Sequence, residues 1–280
     1  MSLTVFAPAK LNLSLEVCGI LPNGYHELRS VMQAINWCDE LTVDFAPDTD
    51  IHLTCDGGIP ADERNLAYRA AVLFRELTGR REGYVIDVNK SIPAEAGMGG
   101  GSSDGAAVLR ALNELTGAGV PLGDLLTAAA ALGADVPFFL LGGTALATGT
   151  GTDLTPLSPL PDCRFVVVKP EGGVSTPEAY RRLDGAPALL HPDVDGMVAA
   201  LEAGDLGGVA RRVGNSFEAP MALPHTDAVT AAMRAHGALA AALTGSGSAV
   251  FGLFDNEAAA TACADALRQA YPLTRICKPI

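Results

Sequence analysis

Hydrophobic and polar positions alternate in some segments of the chain and recur at helical spacing in others. Residues 10–17 alternate strictly, which predicts a β-strand with three leucines and a valine on one face. The other face carries Lys10, Asn12, Ser14 and Glu16. Further strand patterns occupy residues 37–45, 51–55 and 84–88. Apolar side chains at helical spacing between Asn65 and Gly79 predict a helix that begins and ends at those two residues.

The remainder of the chain mixes the same two patterns. Helices are predicted at residues 103–115, 122–132, 193–203, 205–213, 226–236 and 257–270, and another begins at 176–178. Strands are predicted at residues 165–168, 238–243, 249–254 and 273–278, with a strand and turn at 144–153. Helices and strands do not alternate regularly, so the fold class is α+β. Prolines at positions 156, 159 and 161 predict a boundary between lobes of residues 1–155 and 156–280.

A glycine-rich stretch, residues 93–107, lies between a strand pattern and a helical pattern. It contains Gly97, Gly99, Gly100 and Gly101, followed by Ser102, Ser103 and Asp104. Glycine lets a backbone approach a ligand closely, and the unpaired N–H groups and dipole of a helix N-terminus attract anions. Ser102 or Ser103 would cap the helix or turn a hydroxyl towards a phosphate or a metal. The stretch therefore predicts a phosphate-binding loop rather than a plain serine-capped turn.

Two common phosphate motifs do not describe this stretch. A P-loop requires a lysine after its last glycine, and none follows here. The dinucleotide fingerprint ends in glycine or alanine, where this chain has Ser102, and its acidic residue about twenty positions further on is missing. Both observations argue against a P-loop nucleotidase and a nicotinamide-dependent dehydrogenase.

Composition narrows the possible partners and the compartment. The chain has 280 residues and a formal net charge of −13, which argues against nucleic acid or an anionic membrane as a partner. Its six scattered cysteines form no zinc motif or dense disulfide pattern, so we expect reduced thiols in the cytoplasm. The first twenty residues include Lys10 and Glu16 and do not resemble a signal peptide. The longest apolar run, residues 125–141, is interrupted by Asp135 and Pro137, so no membrane span is expected.

Three motifs, in order, resemble those of the GHMP kinases, the superfamily of galactokinase, homoserine kinase, mevalonate kinase and phosphomevalonate kinase. They are Ala-Pro-Ala-Lys-Leu-Asn-Leu at 7–13, the glycine-rich residues 93–103 with Met98 where leucine is usual, and Leu-Thr-Gly-Ser-Gly-Ser at 243–248. The resemblance covers essentially the whole chain. It implies a two-lobed GHMP-kinase-like fold with the substrate cleft between the lobes, and an ATP-dependent kinase that phosphorylates an alcohol group of a small molecule.

Two further motifs resemble one branch of that superfamily. Pro-Asn-Gly-Tyr-His at 22–26 and Gly-Ala-Asp-Val-Pro at 133–137 are similar to the branch that phosphorylates the 2-hydroxyl of 4-diphosphocytidyl-2-C-methyl-D-erythritol, in the non-mevalonate route to isoprenoid precursors. The implied partner is a small molecule carrying a cytidine diphosphate group. A kinase of the homoserine or mevalonate type and a non-catalytic ligand sensor are the alternatives. Lys10 and Asp135 favour a catalyst, and Tyr25-His26 favours a cytidine-bearing acceptor.

The resemblance also implies roles for individual residues. Asp135 would serve the acceptor hydroxyl as a base or orienting group, with Lys10 as its partner. The ATP-binding positions are Asn65 and Lys90 near the adenine, and Pro93, Gly97, Met98, Gly99, Gly100, Gly101, Ser102 and Ser103 at the phosphates. The acceptor-binding positions are Asn12, Tyr25, His26, Thr176 and Tyr180.

Each of these assignments has an ordinary structural alternative. Asp135 would also suit a helix cap or turn, Lys10 an exposed strand, and Tyr25 and Tyr180 a packed core. Asn65 would also suit a helix N-cap, and Lys90 the end of a strand. Mg²⁺ is expected to accompany ATP, bound largely by phosphate oxygens and water, because the sequence shows no carboxylate cluster typical of a dedicated metal site. We expect a monomer or a homodimer.

Overall fold

The structure, a computed structural model, describes residues 2–221, 223 and 225–280. The described residues form eleven strands and ten helices in a mixed arrangement, which confirms the predicted α+β class. The strands are β1 (Leu3–Ile20), β2 (His26–Phe45), β3 (Ile51–Cys55), β4 (Tyr84–Asn89), β5 (Thr144–Thr148), β6 (Asp153–Pro156), β7 (Arg164–Val168), β8 (Gly214–Asn215), β9 (Ala240–Leu243), β10 (Val250–Phe254) and β11 (Thr274–Cys277). The helices are α1 (Leu66–Thr78), α2 (Gly100–Leu115), α3 (Leu122–Ala129), α4 (Val136–Leu141), α5 (Thr176–Asp184), α6 (Val194–Glu202), α7 (Leu206–Ala210), α8 (Glu218–Met221), α9 (Thr226–Ala235) and α10 (Glu257–Arg268).

The chain forms two compact units, each assembled from several segments. The first unit contains the chain up to Ala9 together with Trp37–Ile92 and Gly99–Gly142. The second unit contains Lys10–Asn36, Pro93–Met98 and Gly143–Ile280. The long strands β1 and β2 contribute residues to both units, so the units interleave along the sequence. The division of the chain into lobes of residues 1–155 and 156–280 stays a prediction, as does the cleft between those lobes.

In the first unit, helix α2 packs against both α1 and α4. The end of β2 pairs antiparallel with β4, and β3 runs parallel to β4 on its other side. Asn65 caps α1 by accepting a hydrogen bond from the N–H of Ala67, and Gly79 ends the helix in the left-handed conformation at φ 70°. Both ends of this helix were predicted from the sequence and are confirmed.

In the second unit, the middle of β1 runs parallel to the short strand β8, with Ser14 opposite Gly214. The first part of β2 pairs with β5, which in turn pairs with β6. A separate antiparallel sheet has the order β11-β7-β10-β9. Helices α9 and α10 pack against this sheet, and the core between them includes Val166, Val250 and Phe254. The strands of this unit position the residues of the first and third sequence motifs.

Several elements differ from their predicted bounds. β1 and β2 are much longer than the predicted segments, because residues beyond the strictly alternating positions also join the ladder. The face of β1 that carries Lys10 and Asn12 is buried, as is its leucine face. α3 ends at Ala129, three residues before the predicted end. The two-residue strand β8 and the one-turn helix α8 carry no periodic signal and were not predicted.

None of the described helices combines the length and the apolar character that a membrane span needs.

Candidate functional site

The N-terminus of α2 follows the glycine-rich loop directly. Gly99 occupies the cap position in the left-handed conformation, at φ 72°, and no side chain caps the helix. The helix begins at Gly100, so Ser102 and Ser103 lie within its first turn. The prediction that one of these serines caps the helix is wrong, because Gly99 takes that position. The first N–H groups of α2 therefore have no side-chain acceptor in a cap, as an anion-binding helix end requires.

The side chain of Ser103 supports a ligand at this helix end. Ser103 is 1% exposed, and its hydroxyl has no hydrogen-bond partner in the structure. A buried hydroxyl without a partner is costly unless a ligand satisfies it. Ser102 beside it is half-buried and Gly101 is exposed. The backbone N–H groups of this turn and the Ser103 hydroxyl are suitable hydrogen-bond donors for the phosphates of a nucleotide.

The glycines of the loop differ in how close a Cβ atom at each position would lie to neighbouring atoms. A Cβ atom at Gly97 would lie 2.2 Å from the carbonyl oxygen of Thr244, so Gly97 allows close contact with the third motif. A Cβ at Gly100 would lie 3.1 Å from Cγ2 of Ile92, within the protein. A Cβ at Gly101 would find nothing closer than 4.0 Å. Gly101 therefore has more room for a side chain than Gly97 or Gly100, with Leu66 Cδ1 at 4.0 Å as its nearest neighbour.

Two predicted adenine-side residues lie in the first unit, and both are engaged within the protein. Asn65 is buried, its Oδ1 accepts the capping hydrogen bond of α1, and its Nδ2 donates to the carbonyl oxygen of Pro60 at 2.8 Å. Lys90, directly after β4, donates from Nζ to carboxylate oxygens of Asp39 and Asp104. A direct contact of Asn65 or Lys90 with adenine stays a prediction.

Asp39, Lys90 and Asp104 form a buried charge cluster that the sequence did not reveal. Asp39 is fully buried, and its Oδ1 accepts hydrogen bonds from the backbone N–H groups of Ser91 and Ile92. Burial lowers the pKa of Lys90, but the two carboxylates more than offset this and raise it overall. Burial raises the pKa of Asp104 to about 7; the Lys90 ammonium opposes that shift and the Asp39 carboxylate adds to it. The cluster therefore places a readily neutralised carboxyl group in the first turns of α2.

Lys10 and Asn12 anchor a polar network in the second unit. Lys10 Nζ donates to Asn12 Oδ1 at 2.6 Å, and Asn12 Nδ2 donates to Ser30 Oγ at 2.7 Å. Asn12 Oδ1 also accepts from the N–H of Gly245 at 2.9 Å, and the Asn12 N–H donates to Thr244 Oγ1 at 3.0 Å. The observed role of Asn12 is to orient Lys10 and the third motif, and its contact with substrate stays a prediction.

The three GHMP-like motifs meet around this network. The N–H of Lys10 donates to the carbonyl oxygen of Met98, the buried methionine of the glycine-rich loop. The N–H of Ala249 donates to the carbonyl oxygen of Ala96. Half-buried Pro93 begins this segment of the second unit. Together with the hydrogen bonds that join Asn12 to Thr244 and Gly245, these bonds bring the three motifs into contact within the second unit.

Asn215 is a part of this region that the sequence did not identify. Its Nδ2 donates to the carbonyl oxygens of Leu243 and Gly245, at 2.9 and 2.8 Å, and its Oδ1 accepts from the N–H of Phe217. Asn215 thus fixes the start of the third motif. It lies in the two-residue strand β8, which explains why no periodic pattern pointed to it.

Asp135 occupies the cap position of α4, but its side chain makes no capping hydrogen bond. Its backbone is helical, at φ −81° and ψ −16°, and Pro137 lies in the first turn that follows. The side chain is half-buried, while Pro137 and the rest of the helix up to Leu140 are buried. The alternative of a side-chain cap is therefore not observed. Asp135 belongs to the first unit and Lys10 to the second, and their partnership stays a prediction.

The predicted acceptor-side aromatic residues lie in the second unit. The rings of His26 and Tyr180 stack, with centroids 4.5 Å apart, and Tyr180 meets the ring of Phe217 edge to face. His26 Nε2 lies 2.7 Å from Asp184 Oδ1. Tyr25 is 68% exposed, so it is not a core residue. This exposed ring next to a stacked His–Tyr pair suits recognition of a planar base.

Thr176 lies one helical turn before Tyr180 on α5. It is the first residue of the helix, it is exposed, and Ser175 precedes it at the cap position. Residues four apart share a helix face, so Thr176 and Tyr180 face the same side. Asp184 and Phe217 were not predicted, because their roles depend on contacts between segments far apart in sequence.

Among residues 2–221, 223 and 225–280, no group of three or more His, Cys, Asp or Glu side chains is arranged to hold a metal ion.

Comparison with known proteins extends these observations. Residues 65–143 match the family described as GHMP kinases N terminal domain, and residues 197–273 match the GHMP kinases C terminal family. The 4-diphosphocytidyl-2-C-methyl-D-erythritol kinase of Lachnospira eligens is 40% identical over 272 residues, covering 96% of this chain and 94% of that protein. The enzyme of the same name from Geobacillus thermodenitrificans is 44% identical over 261 residues, covering 92% and 90%.

Solved structures agree in fold. A crystal structure of 4-(cytidine 5'-diphospho)-2C-methyl-D-erythritol kinase matches with a TM-score of 0.84 and 38% identity, covering 99% of both chains. A homoserine kinase from Cytophaga hutchinsonii matches with a TM-score of 0.80 at 23% identity, covering 100% of this chain and 94% of that one. The second match shows a common fold alone.

Proposed function

The chain belongs to the GHMP kinases, in the family of the 4-diphosphocytidyl-2-C-methyl-D-erythritol kinases, and we propose that it transfers the terminal phosphoryl group of ATP to the 2-hydroxyl of 4-diphosphocytidyl-2-C-methyl-D-erythritol. The predicted family and GHMP-kinase-like fold are confirmed, and the chain is an ATP-dependent small-molecule kinase. The reaction belongs to the non-mevalonate route to isoprenoid precursors. The observation that carries the choice of acceptor is 40–44% identity to enzymes of that name over more than 90% of this chain.

The ATP phosphates bind at the start of α2 in this proposal. Three observations support it: the cap residue is Gly99, no side chain caps the helix, and the buried Ser103 hydroxyl has no partner. The backbone N–H groups of Gly100, Gly101 and Ser102 would hold phosphate oxygens. Mg²⁺, held largely by the phosphates and water, would neutralise charge that develops on the transferred group.

Lys10 and Asp135 carry the acceptor chemistry in this proposal. Asp135, on the Gly-Ala-Asp-Val-Pro turn at the start of α4, orients the acceptor hydroxyl and accepts its proton. Lys10 stabilises negative charge, and Asn12 fixes the position of its ammonium group. An alkyl hydroxyl is a very weak acid, so the proton leaves late, as the phosphoryl group arrives.

The cytidine group binds at the aromatic residues of the second unit in this proposal. Tyr25 and Tyr180 provide flat apolar surfaces, and Nδ1 of His26 can read the edge of the base while Nε2 faces Asp184. Thr176, exposed on the Tyr180 side of α5, contacts the remainder of the acceptor. A cytoplasmic location is supported by the six cysteines, which are all free thiols.

One assay tests this function against its alternatives. ATP consumption is measured with 4-diphosphocytidyl-2-C-methyl-D-erythritol, mevalonate, homoserine and galactose as acceptors. We expect turnover with the cytidine-bearing acceptor and at least a hundredfold lower kcat/KM with the others, because a site built for hydrogen bonding rejects analogues that leave it unpaired. Turnover of homoserine or mevalonate alone would contradict the proposed acceptor. Nucleotide binding without any turnover would indicate a ligand sensor.

A further inference from the structure

The charge cluster of Asp39, Lys90 and Asp104 links the chain before the glycine-rich loop to the helix after it. Lys90 lies just before the loop, and its side chain is 9% exposed. On one side it donates to Asp39, which also accepts hydrogen bonds from the N–H groups of Ser91 and Ile92. On the other side it donates to Asp104, in the second turn of α2. One ammonium group therefore joins the two segments that flank the loop.

The cluster lies against the first turn of the helix. A Cβ atom at Gly100 would be 3.5 Å from Lys90 Nζ, so the ammonium group is adjacent to the backbone of that residue. Asp104 directly follows Ser103, whose hydroxyl is buried without a partner, and Oδ1 of Asp104 likewise has no partner. Because the cluster is adjacent to Gly100 and includes Asp104, its displacement would move the backbone N–H groups in the first turn of α2.

We propose that Asp39, Lys90 and Asp104 are positioning residues for the triphosphate, and that Lys90 acts through the first turn of α2 rather than through contact with adenine. The two bonds to buried carboxylates orient the ammonium group towards the interior of the first unit. This inference rests on the proposed function, because it requires ATP phosphates at the start of α2. It gives Lys90 a different role from the one that the family resemblance implies.

The choice of variants follows from the electrostatics of buried charges. Removing the Lys90 ammonium alone would leave two carboxylates uncompensated in a low-dielectric interior, which destabilises a fold strongly, whereas removing Asp39 leaves the Lys90–Asp104 pair. Replacing the whole cluster with neutral residues of similar volume is often tolerated. The main variant is therefore Asp39→Asn/Lys90→Met/Asp104→Asn, and Asp39→Asn alone is the second. Leu112→Ala, at a fully buried position further along α2, is a control for loss of stability alone.

The experiment compares three probes by calorimetry on the full chain: ATP, inorganic tripolyphosphate, and adenosine in competition with ATP. For the main variant we expect at least a tenfold loss of affinity for both ATP and tripolyphosphate, with adenosine unchanged. The single Asp39→Asn variant should show the same selectivity to a smaller degree. Leu112→Ala should lower Tm and leave all three affinities unchanged.

Three results would overturn the inference while the proposed function stands. Weaker ATP and adenosine binding with unchanged tripolyphosphate binding would show that Lys90 contacts the base. Unchanged affinities for all three probes would show that the cluster serves packing only. An equal loss of tripolyphosphate binding in Leu112→Ala would assign the effect to stability. If the unmodified chain bound neither ATP nor tripolyphosphate, the inference and the proposed function would fall together.

Discussion

Asp135 provides a direct test of the chemistry at the scale of one residue. Asp135→Asn keeps the shape of the side chain and removes its charge. We expect kcat to fall by about 10²–10⁴-fold, the usual effect of losing a positioned base, while both substrates still bind. Lys10→Ala should lose at least as much, and the double variant should lose little more if the two residues act as a unit.

The control for this prediction is Asp124→Asn, which removes an exposed carboxylate from the same compact unit. Steady-state kinetics and ATP calorimetry on all four variants separate catalysis from binding. An Asp135→Asn enzyme with near-normal kcat would show that positioning and electrostatics suffice without a base. Strictly multiplicative losses in the double variant would show that Lys10 and Asp135 act independently.

Asp104 predicts a pH dependence of stability. Its pKa is raised from 3.8 to about 7, with burial as the largest cause and Lys90 and Asp39 as the charged neighbours. Between pH 4 and 7, approximately, the folded chain holds a proton that the unfolded chain has released, so this group lowers stability as pH rises. Asp104→Asn removes that titration. The Tm of the variant minus that of the unmodified chain should become more positive from about pH 5 to pH 8.

Thermal unfolding at several pH values checks the sign of this effect. Asp124→Asn again serves as the control for replacing a carboxylate at an exposed position of the same unit. The raised pKa of Lys90 affects stability only in the alkaline range, since its ordinary value is 10.5. It therefore does not affect the Tm comparison between pH 5 and pH 8. A Tm difference for Asp104→Asn that becomes more negative with rising pH would mean that the carboxylate is stabilised in its charged form.

At the scale of single elements, we expect opposite effects on stability from substituting Gly101, in the first turn of α2, and Gly97, in the loop before it. Gly101→Ala should stabilise the helix by up to about 1 kcal/mol, because alanine favours helices over glycine, but its methyl group would lie on the turn proposed to hold the phosphates, with Leu66 Cδ1 at 4.0 Å as its nearest neighbour. We expect unchanged or higher Tm together with weaker ATP binding. Gly97→Ala should lower Tm, because its Cβ would meet the Thr244 carbonyl and its φ is +73°.

Denaturation curves and ATP calorimetry on both variants test this contrast. Gly100→Val would be a poorer probe, because its side chain would clash with Ile92 inside the protein. Unchanged ATP affinity in a folded Gly101→Ala variant would place the triphosphate away from this turn.

Elements with strong local signals could be predicted from the sequence, and those that depend on distant partners could not. Asn65 and Gly79 determine the ends of α1 through a side-chain cap and a left-handed glycine, so both ends were predicted correctly. β8 exists because Ser14 pairs with Gly214, 200 positions away in the numbering, and two residues show no periodicity. The same reasoning applies within the site. The glycine-rich loop can be recognised from a short stretch of sequence. The cluster of Asp39, Lys90 and Asp104 depends on tertiary contacts between residues far apart in sequence.

At the scale of the whole molecule, a net charge of −13 opposes the approach of ATP, which is itself an anion. The groups proposed to bind its phosphates are local to one helix end: the backbone N–H donors of the first turn of α2 and the dipole of that helix. Long-range repulsion is screened by salt, since the Debye length falls from about 30 Å at 0.01 M to about 8 Å at 0.15 M. Contacts at hydrogen-bond distance are screened much less.

Raising the KCl concentration from about 0.01 M to 0.15 M should therefore speed the association of ATP, by roughly two- to fivefold. Stopped-flow binding at fixed Mg²⁺ measures this rate, and an uncharged crowding solute of matched viscosity controls for changes in diffusion. Most kinases that attract ATP through a basic surface would show the reverse trend. If the association rate of ATP fell with salt instead, the positive potential around the start of α2 would reach further into solvent than the field of the acidic molecule. The net charge would then have no influence on nucleotide capture.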